Sequence, residues 1–249
     1  MTDEGGAAAP ESAWLKEAAA ERLMNFWPSE TLTRWIRMPR KRGRLADVGC
    51  GVGGNMLAAL LAGYEVYGLD ISPYAVRVAA KRAKRLAEEF NAIQKAVAAV
   101  RLEAFEKLVA EIFQAGAVLP YWEVRGGDAR SLPWPDGHFA VVLCLSLLQH
   151  MDAEGRTATM AEVARVLESE GRALFSFMKT SHAGTRHESE ERTVYREESG
   201  LRELMHWFTW QEVSDLLGGA GLAATAVELP LAADFVTTAS RAWVVEAKK

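Results

Sequence analysis

A glycine-rich run lies between residues 45 and 62, at the junction of a predicted strand and a predicted helix. Leu45–Val48 predicts the strand, Gly49-Cys50-Gly51-Val52-Gly53-Gly54 follows, and Asn55–Ala62 predicts the helix. A helix N-terminus presents unpaired N–H groups and a partial positive charge, which suit a carboxylate or a phosphate. Glycines allow a ligand to approach the backbone closely. The run therefore predicts a ligand site at a strand-to-helix turn.

Two carboxylates follow the next two predicted strands. Asp70 ends a strand over Tyr64–Leu69, about 20 positions beyond the glycines, where an acidic residue suits the hydroxyls of a ribose. Gly49, Gly51 and Gly54 also match the dinucleotide spacing, so these residues alone leave a nicotinamide cofactor open. Asp128 distinguishes a nicotinamide cofactor from another nucleoside cofactor. A carboxylate after the third strand can accept a hydrogen bond from an adenine amino group.

Several segments, in order, resemble the class I S-adenosylmethionine-dependent methyltransferases. Asp47–Gly53 is similar to their first motif, with an aspartate ahead of three alternating glycines. The other similar segments are Gly68–Ser72, Gly127–Pro133, Leu143–Met151 and Phe208–Leu222. The resemblance covers roughly residues 43 to 247 and depends on the motifs occurring together.

The resemblance implies a role for each motif. Asp47 and the glycine loop would meet the amino-acid end of S-adenosyl-L-methionine, Asp70 its ribose, Asp128 and Ala129 its adenine, and Leu145 and Ser146 its methionine part. The complete predicted cofactor-binding set is Asp47, Gly49, Cys50, Gly51, Gly53, Asn55, Asp70, Ile71, Asp128, Ala129, Leu145 and Ser146. The chain departs from the family at Ala140, where an acidic residue is frequent, and in a longer helical insertion after strand two.

Methyl transfer from a sulfonium is an in-line displacement that depends mainly on positioning. A general base is needed only if the acceptor arrives protonated. The candidate bases are His150, His182, His187 and His206, of which His150 follows the fourth strand, close to an acceptor. No HExxH motif is present, and no metal site is expected.

Strand and helix patterns alternate along the chain, which predicts an α/β fold. We expect a doubly wound, mostly parallel seven-stranded sheet of the Rossmann-like methyltransferase type. Residues 1–42 would form an N-terminal tail and capping helices, and residues 43–249 the methyltransferase domain. That domain would carry a long helical insertion at about 74–118 after strand two and a polar lid at about 179–206 after strand five. The remaining strands are predicted at Trp122–Gly126, Ala140–Leu145, Arg172–Met178, Leu222–Leu229 and Arg241–Ala247.

The insertion has neither glycine nor proline between Tyr74 and Ala115. It would form either one protruding helix or a helical hairpin broken near Asn91. Apolar residues repeat at alternating steps of four and three from Ala79 to Ala104, as in a coiled-coil seam. The seam would either form a homodimer interface or pack on the chain's own N-terminal helices.

Composition bounds the function. The 249 residues carry a formal net charge of −4, which disfavours nucleic acid as the partner. The two cysteines have no paired motif, no apolar run is long enough to cross a membrane, and the N-terminus does not resemble a signal peptide, so a soluble cytoplasmic protein is expected. A small-molecule acceptor is the favoured substrate. RNA, particularly tRNA, is the alternative, because six basic residues precede the first strand: Arg34, Arg37, Arg40, Lys41, Arg42 and Arg44.

Two other functional hypotheses are alternatives to a methyltransferase. A nicotinamide-dependent oxidoreductase would explain the glycines and Asp70, but neither Asp47 nor Asp128. A non-catalytic scaffold would be expected to have a degenerate glycine loop, and this loop is intact. Trp27, Trp207 and Trp210 would line an aromatic acceptor site or pack in the core and lid, and packing is favoured for Trp210.

Overall fold

The computed structural model describes residues 30–36, 42–100, 121–179, 190–196, 201–227 and 242–249. The helices are α1 (Glu30–Ile36), α2 (Gly54–Leu61), α3 (Pro73–Val100), α4 (Ala153–Val166) and α5 (Trp210–Gly219). The strands are β1 (Arg44–Val48), β2 (Glu65–Asp70), β3 (Trp122–Gly126), β4 (Phe139–Cys144), β5 (Leu167–Met178), β6 (Glu190–Arg196), β7 (Leu201–Trp207), β8 (Ala223–Val227) and β9 (Ala242–Lys248). The strands of the large sheet lie within a few residues of their predicted positions, except that β5 begins five residues early.

The main sheet has seven strands in the order β3-β2-β1-β4-β5-β9-β8. Strands β1 to β5 are parallel to one another, and β9 runs antiparallel between β5 and β8. This confirms the predicted mostly parallel, doubly wound sheet. The strand order reverses between β1 and β4, and ligands of open α/β sheets bind beyond the carboxyl ends of the strands at such a point.

The parallel register aligns the predicted motifs along one edge. Asp47 of β1 pairs with Gly68 of β2 on one side and with Leu143 of β4 on the other. The glycine loop, the end of β2 and the residues after β4 therefore meet at the carboxyl edge of the sheet.

Apolar side chains cover both faces of the sheet. Helices α1 and α2 contribute Leu32, Trp35, Ile36 and Met56 to one layer, and helices α4 and α5 contribute to the other, which contains Phe175 and Phe177. Helix α1 is also fastened by a polar contact, because the buried Trp35 Nε1 donates to Glu246 Oε2 at 2.7 Å. Arg172 donates to the other oxygen of Glu246, so this buried carboxylate has a partner on each side.

Helix α3 runs without a break from Pro73 to Val100, and the alternative of a hairpin broken near Asn91 is therefore wrong. Its 28 residues span about 42 Å at 1.5 Å per residue. Ala79 is buried in the domain, whereas Ala83 and Leu86 are half-buried. The rest of the insertion, residues 101–120, lies outside the described residues, and the homodimer seam stays a prediction.

The segment predicted as a polar lid at about 179–206 contains regular secondary structure. Where the structure describes it, residues 190–196 and 201–207 form an antiparallel two-stranded ribbon, β6 with β7. The ribbon meets the carboxyl end of β5, because the Phe208 N–H donates to the Met178 carbonyl at 2.8 Å. Polar and apolar residues do not alternate strictly along β7, since Arg202 and Glu203 are adjacent, and so a period of two did not predict this strand.

Among the described residues, no helix is both long enough and apolar enough to cross a membrane. Residues 1–29, which belong to the predicted N-terminal tail and capping helices, lie outside the described residues.

Candidate functional site

The glycine loop adopts a backbone conformation that suits glycine alone. Gly49, Gly51 and Gly53 have φ angles of 76°, 53° and 81°, a region that L side chains rarely enter. A Cβ on Gly53 would lie 2.7 Å from Trp122 Cζ2. The Gly49 and Cys50 N–H groups donate to the Leu69 carbonyl at 2.8 and 3.0 Å, which fastens the loop to the end of β2.

Asp70 connects this loop to the start of α3. Its Oδ2 accepts from the Gly51 N–H at 2.8 Å and its Oδ1 from the Ser72 N–H at 2.8 Å. Burial raises the pKa of Asp70, while these two hydrogen bonds oppose the rise. A carboxylate has about four acceptor positions, so two remain for donors from a ligand.

Asp47 is the most buried acid of the site, with 1% of its surface exposed. Within the described part of the chain, its Oδ2 has no hydrogen-bond partner. Burial, followed by repulsion from Asp70, raises the pKa of Asp47 to about 7. Two buried thiols lie nearby, and burial raises the pKa of both Cys50 and Cys144, so they remain protonated.

Asp128 follows β3 as predicted but has a partner that the sequence did not reveal. The guanidinium of Arg130 donates to both of its oxygens, at 2.6 Å from Nη2 and at 3.0 Å from Nε. The hydrogen bonds from Arg130 lower the pKa of Asp128 and keep it ionised. An adenine amino group at Asp128 would share the carboxylate with this arginine. Ala129 beside it is buried in the core.

The loop after Asp128 is held by helix α4. Arg165 donates to the Leu132 and Trp134 carbonyls at 3.0 and 2.8 Å, and Glu162 accepts from the Leu132 N–H at 2.6 Å. These contacts, which the sequence did not indicate, fix the position of the segment that carries Asp128 and Ala129.

The residues after β4 mark the middle of the carboxyl edge. Ser146 has a φ of 56°, a strained value for serine, and its N–H donates to Ser176 Oγ of β5 at 2.7 Å. Leu145 beside it is half-buried. Asn55 is half-buried in the first turn of α2, and Ile71 at the end of β2 is 42% exposed, which is unusual for an isoleucine.

The predicted histidines have different positions. His150 ends a 3-10 turn, Leu148–His150, that follows β4 and lies against β7 of the ribbon. His206 on β7 is buried, and its Nε2 lies 2.8 and 3.0 Å from the two oxygens of Glu212 on α5. His206 therefore fastens the ribbon to α5 and is not placed to act as a base. His182 and His187 lie outside the described residues.

In the part of the chain that the structure describes, no group of three or more metal-ligating side chains occurs. The predicted residues that the structure brings together are those on β1, on β2 and after β4, with Asp128 and Ala129 after β3 on the same edge.

Comparison with known proteins identifies the family. Residues 12–227 match a family model described as a methyltransferase domain. The chain belongs to this methyltransferase family. It is an S-adenosylmethionine-dependent enzyme of class I, and the reading as a nicotinamide-dependent oxidoreductase is wrong. Among curated protein sequences, none matches the methyltransferase.

Solved structures share its fold. An S-adenosylmethionine-dependent methyltransferase from Methanosarcina mazei is 20% identical, with a TM-score of 0.61 over 85% of this chain and 94% of its own. A glycopeptide N-methyltransferase complexed with S-adenosyl-L-methionine is 18% identical, with a TM-score of 0.60 over 90% and 96%. A 1,6-didemethyltoxoflavin N1-methyltransferase from Burkholderia thailandensis, with S-adenosylhomocysteine bound, is 15% identical, with a TM-score of 0.54 over 88% and 79%.

The raised pKa of Asp47 predicts how the stability of the methyltransferase depends on pH. Its pKa is about 7 in the folded chain and 3.8 for an unperturbed aspartate, so the folded state binds the proton more tightly. The stabilisation that protonated Asp47 gives the folded state is fully present below the unfolded pKa and is lost as the pH rises through 7. We expect Asp47→Asn to stabilise the protein at pH 8 but not at pH 4, by at most about 4 kcal/mol for a shift of roughly three units.

Urea unfolding followed by circular dichroism, at pH values from 4 to 8, measures this difference. Asp215→Asn, an exposed aspartate on α5, is the matched control and should leave the pH dependence unchanged. A constant difference between wild type and Asp47→Asn across this range would contradict the assignment.

Proposed function

We propose that the methyltransferase transfers the methyl group of S-adenosyl-L-methionine to a small-molecule acceptor at the carboxyl edge of its sheet. The observation that carries the proposal is the pair of buried carboxylates, Asp47 and Asp70, on either side of the glycine loop. A buried carboxylate oxygen without a partner is costly, and a cationic or hydrogen-bonding ligand group at that point offsets the cost.

The residues of this edge fit the cofactor. Asp47 would receive the amino group of the methionine part, close to the backbone of Gly49 and Gly51. The remaining acceptor positions of Asp70 would receive the ribose hydroxyls. The half-exposed side chain of Ile71 would contact the adenine.

Further residues would complete the cofactor site. Asp128 and Ala129 would bind the edge of the adenine, and Leu145 and Ser146 would border the methionine part. Cys50, Gly53 and Asn55 line the loop and the first turn of α2. Cys50 and Asn55 would support the site from these positions, and the backbone of the glycine loop would make the closest contacts with the cofactor.

Methyl transfer from a sulfonium depends more on the positioning of the acceptor than on reactive side chains. When bound, the cofactor supplies a methyl group on a sulfonium, which is activated for displacement by a nucleophile. The protein holds the acceptor in line with that methyl, and such orientation can lower a barrier by roughly 7–11 kcal/mol. The strained backbone of Ser146, fixed by Ser176, would place the end of β4 beside the reacting atoms.

The position of the described basic residues favours a small molecule over RNA. Arg44 begins β1, and its Nε donates to the His138 carbonyl at 2.8 Å. Arg42 donates to the Ile36 carbonyl and to Tyr64 Oη, at 3.3 and 3.2 Å. Both lie at the amino edge of the sheet, opposite the cofactor edge, so they contact the fold and do not surround an acceptor. Two structural neighbours are named for methylating a glycopeptide and a didemethyltoxoflavin.

His150 is the proposed general base for an acceptor that arrives protonated. It follows β4 at the carboxyl edge, and the turn that carries it lies against the ribbon. Of the predicted histidines that the structure describes, His206 is excluded by its buried pairing with Glu212.

Ligand binding tests the cofactor site. Isothermal titration should show micromolar binding of S-adenosylmethionine and S-adenosylhomocysteine, and no binding of NADH. Asp70→Ala should weaken both adenosyl ligands about tenfold or more, because hydrogen bonds to a charged group are lost. Asp215→Asn, an exposed aspartate on α5, is the control and should bind like wild type. Binding of NADH alone would contradict the proposal.

The class of acceptor can be tested with a labelled methyl group. We expect the purified enzyme, given cell extract and methyl-labelled S-adenosylmethionine, to transfer label to the low-molecular-mass fraction. The Asp70→Ala variant is the negative control, because it lacks the carboxylate proposed to bind the cofactor. Label that accumulates in tRNA instead would replace the small-molecule proposal with the RNA alternative.

His150→Gln tests the proposed base once an acceptor is in hand. We expect kcat to fall by about 10²–10⁴-fold, the usual contribution of a general base, with unchanged affinity for S-adenosylhomocysteine. Added imidazole should partly restore the rate, which a purely structural defect would not allow. His138→Gln, at the amino edge, is the control. Unchanged kcat in His150→Gln would remove the base from the mechanism.

A further inference from the structure

Two tryptophans and a lysine from three separate elements meet beside the end of β5. Trp210 is the first residue of α5, Trp243 is the second residue of β9, and Lys179 directly follows β5. The two indole rings are 5.7 Å apart at an angle of 65°. Lys179 Nζ lies 5.4 Å from the centroid of the Trp243 ring. We call these three residues the tryptophan platform.

Topology places the platform at the carboxyl edge. Strand β9 runs antiparallel to β5, and Trp243 pairs with Phe177 near the carboxyl end of β5. Helix α5 begins two residues after Phe208, whose N–H donates to the Met178 carbonyl. The platform and the cofactor residues therefore belong to the same edge of the sheet, although 30 or more residues of chain separate them.

The distance from the cofactor residues matches a small acceptor. Ser146 is bonded to Ser176, and Lys179 lies three residues beyond Ser176, about 10 Å along the strand. Trp243 is two strands from β4, also about 10 Å across the sheet at 4.8 Å per strand. These two backbone separations are comparable with the length of a molecule of one or two rings.

The chemistry of the platform differs from that of ordinary core packing. Trp210 keeps 38% of its surface exposed, although large aromatic side chains are usually well buried. A half-exposed indole offers a flat apolar surface for stacking, and the lysine adds a positive charge beside it. Packing alone, which the sequence favoured for Trp210, accounts for its contact with Trp243 but not for this exposed face.

We propose that the tryptophan platform is the acceptor subsite and selects a flat aromatic molecule that carries an anionic group, such as a carboxylate. The ring stacks on Trp210, and the anion is bound by Lys179. The nucleophile at the other end of the molecule points towards the end of β4. This subsite rests on the proposed function, since it assumes that the methyl donor binds at the same edge.

Matched pairs of probes test the charge preference. The panel is 4-hydroxybenzoate, indole-3-carboxylate and 1-hydroxy-2-naphthoate, each with its neutral amide. Binding to the complex with S-adenosylhomocysteine is measured by saturation-transfer NMR and titration. We expect at least one acid to bind about tenfold more tightly than its amide.

Variants identify the residues responsible. Lys179→Met should remove the preference for the acid and leave the amide unaffected. Trp210→Ala should weaken acid and amide alike by about tenfold, and Trp210→Phe should restore most of the binding, because the stacking surface returns. Lys248→Met and Leu61→Ala, a lysine and an exposed leucine away from this patch, are controls and should have no effect. Affinity for S-adenosylhomocysteine should be equal in all variants.

Three results would overturn the subsite: no acid or amide of the panel binds, acids and amides bind equally, or Lys179→Met keeps the preference. Failure of S-adenosylhomocysteine itself to bind the wild-type chain would instead overturn the proposed function. The two failures are therefore distinguishable in one set of titrations.

Discussion

The close approach of two buried acids, Asp47 and Asp70, is the constraint on which the cofactor edge depends. The parallel pairing of β1 with β2 places Asp47 beside Gly68, two residues before Asp70. Burial, followed by repulsion from Asp70, raises the pKa of Asp47. The fold compensates the two carboxylates to different extents. Asp70 is compensated by two backbone N–H groups, whereas the Oδ2 of Asp47 is left without a hydrogen bond among the described residues. The uncompensated acid is the one that a cationic ligand would stabilise.

This arrangement explains why the loop between the two acids is built from glycine. The Gly51 N–H must point at Asp70 while the Gly49 and Cys50 N–H groups point at Leu69, and the chain must then enter α2 within a few residues. Positive φ angles at three alternating positions meet these demands. Glycine satisfies them without steric cost, and the space that a Cβ would fill is partly taken by Leu147 and Trp122.

The sequence predicted the strands and turns that carry the proposed cofactor residues, because each of these features is local in the chain. Each motif follows directly on its strand, and parallel strands bring their carboxyl ends together. The features that the sequence did not predict are particular side-chain contacts, which residue types and spacing alone do not specify. Arg130 is a local charge whose partner could be solvent or Asp128, and only the structure shows the paired guanidinium. His206 was predicted within the polar lid, yet it is buried. Its ring packs on Phe208 of the core, and its Nε2 pairs with Glu212.

The elements around the proposed acceptor subsite were predicted less well, for a related physical reason. These elements are the end of β5, the ribbon, the start of α5 and the start of β9, and they are joined by antiparallel pairing and by a bridge between Lys179 and Phe208. No short motif records such pairings, so the composition of the segment predicted only a polar lid and did not reveal its two strands. The same separation has a functional consequence. Residues of the proposed subsite do not belong to the glycine loop or its two acids, so under this proposal the choice of acceptor can change while the methyl donor stays the same.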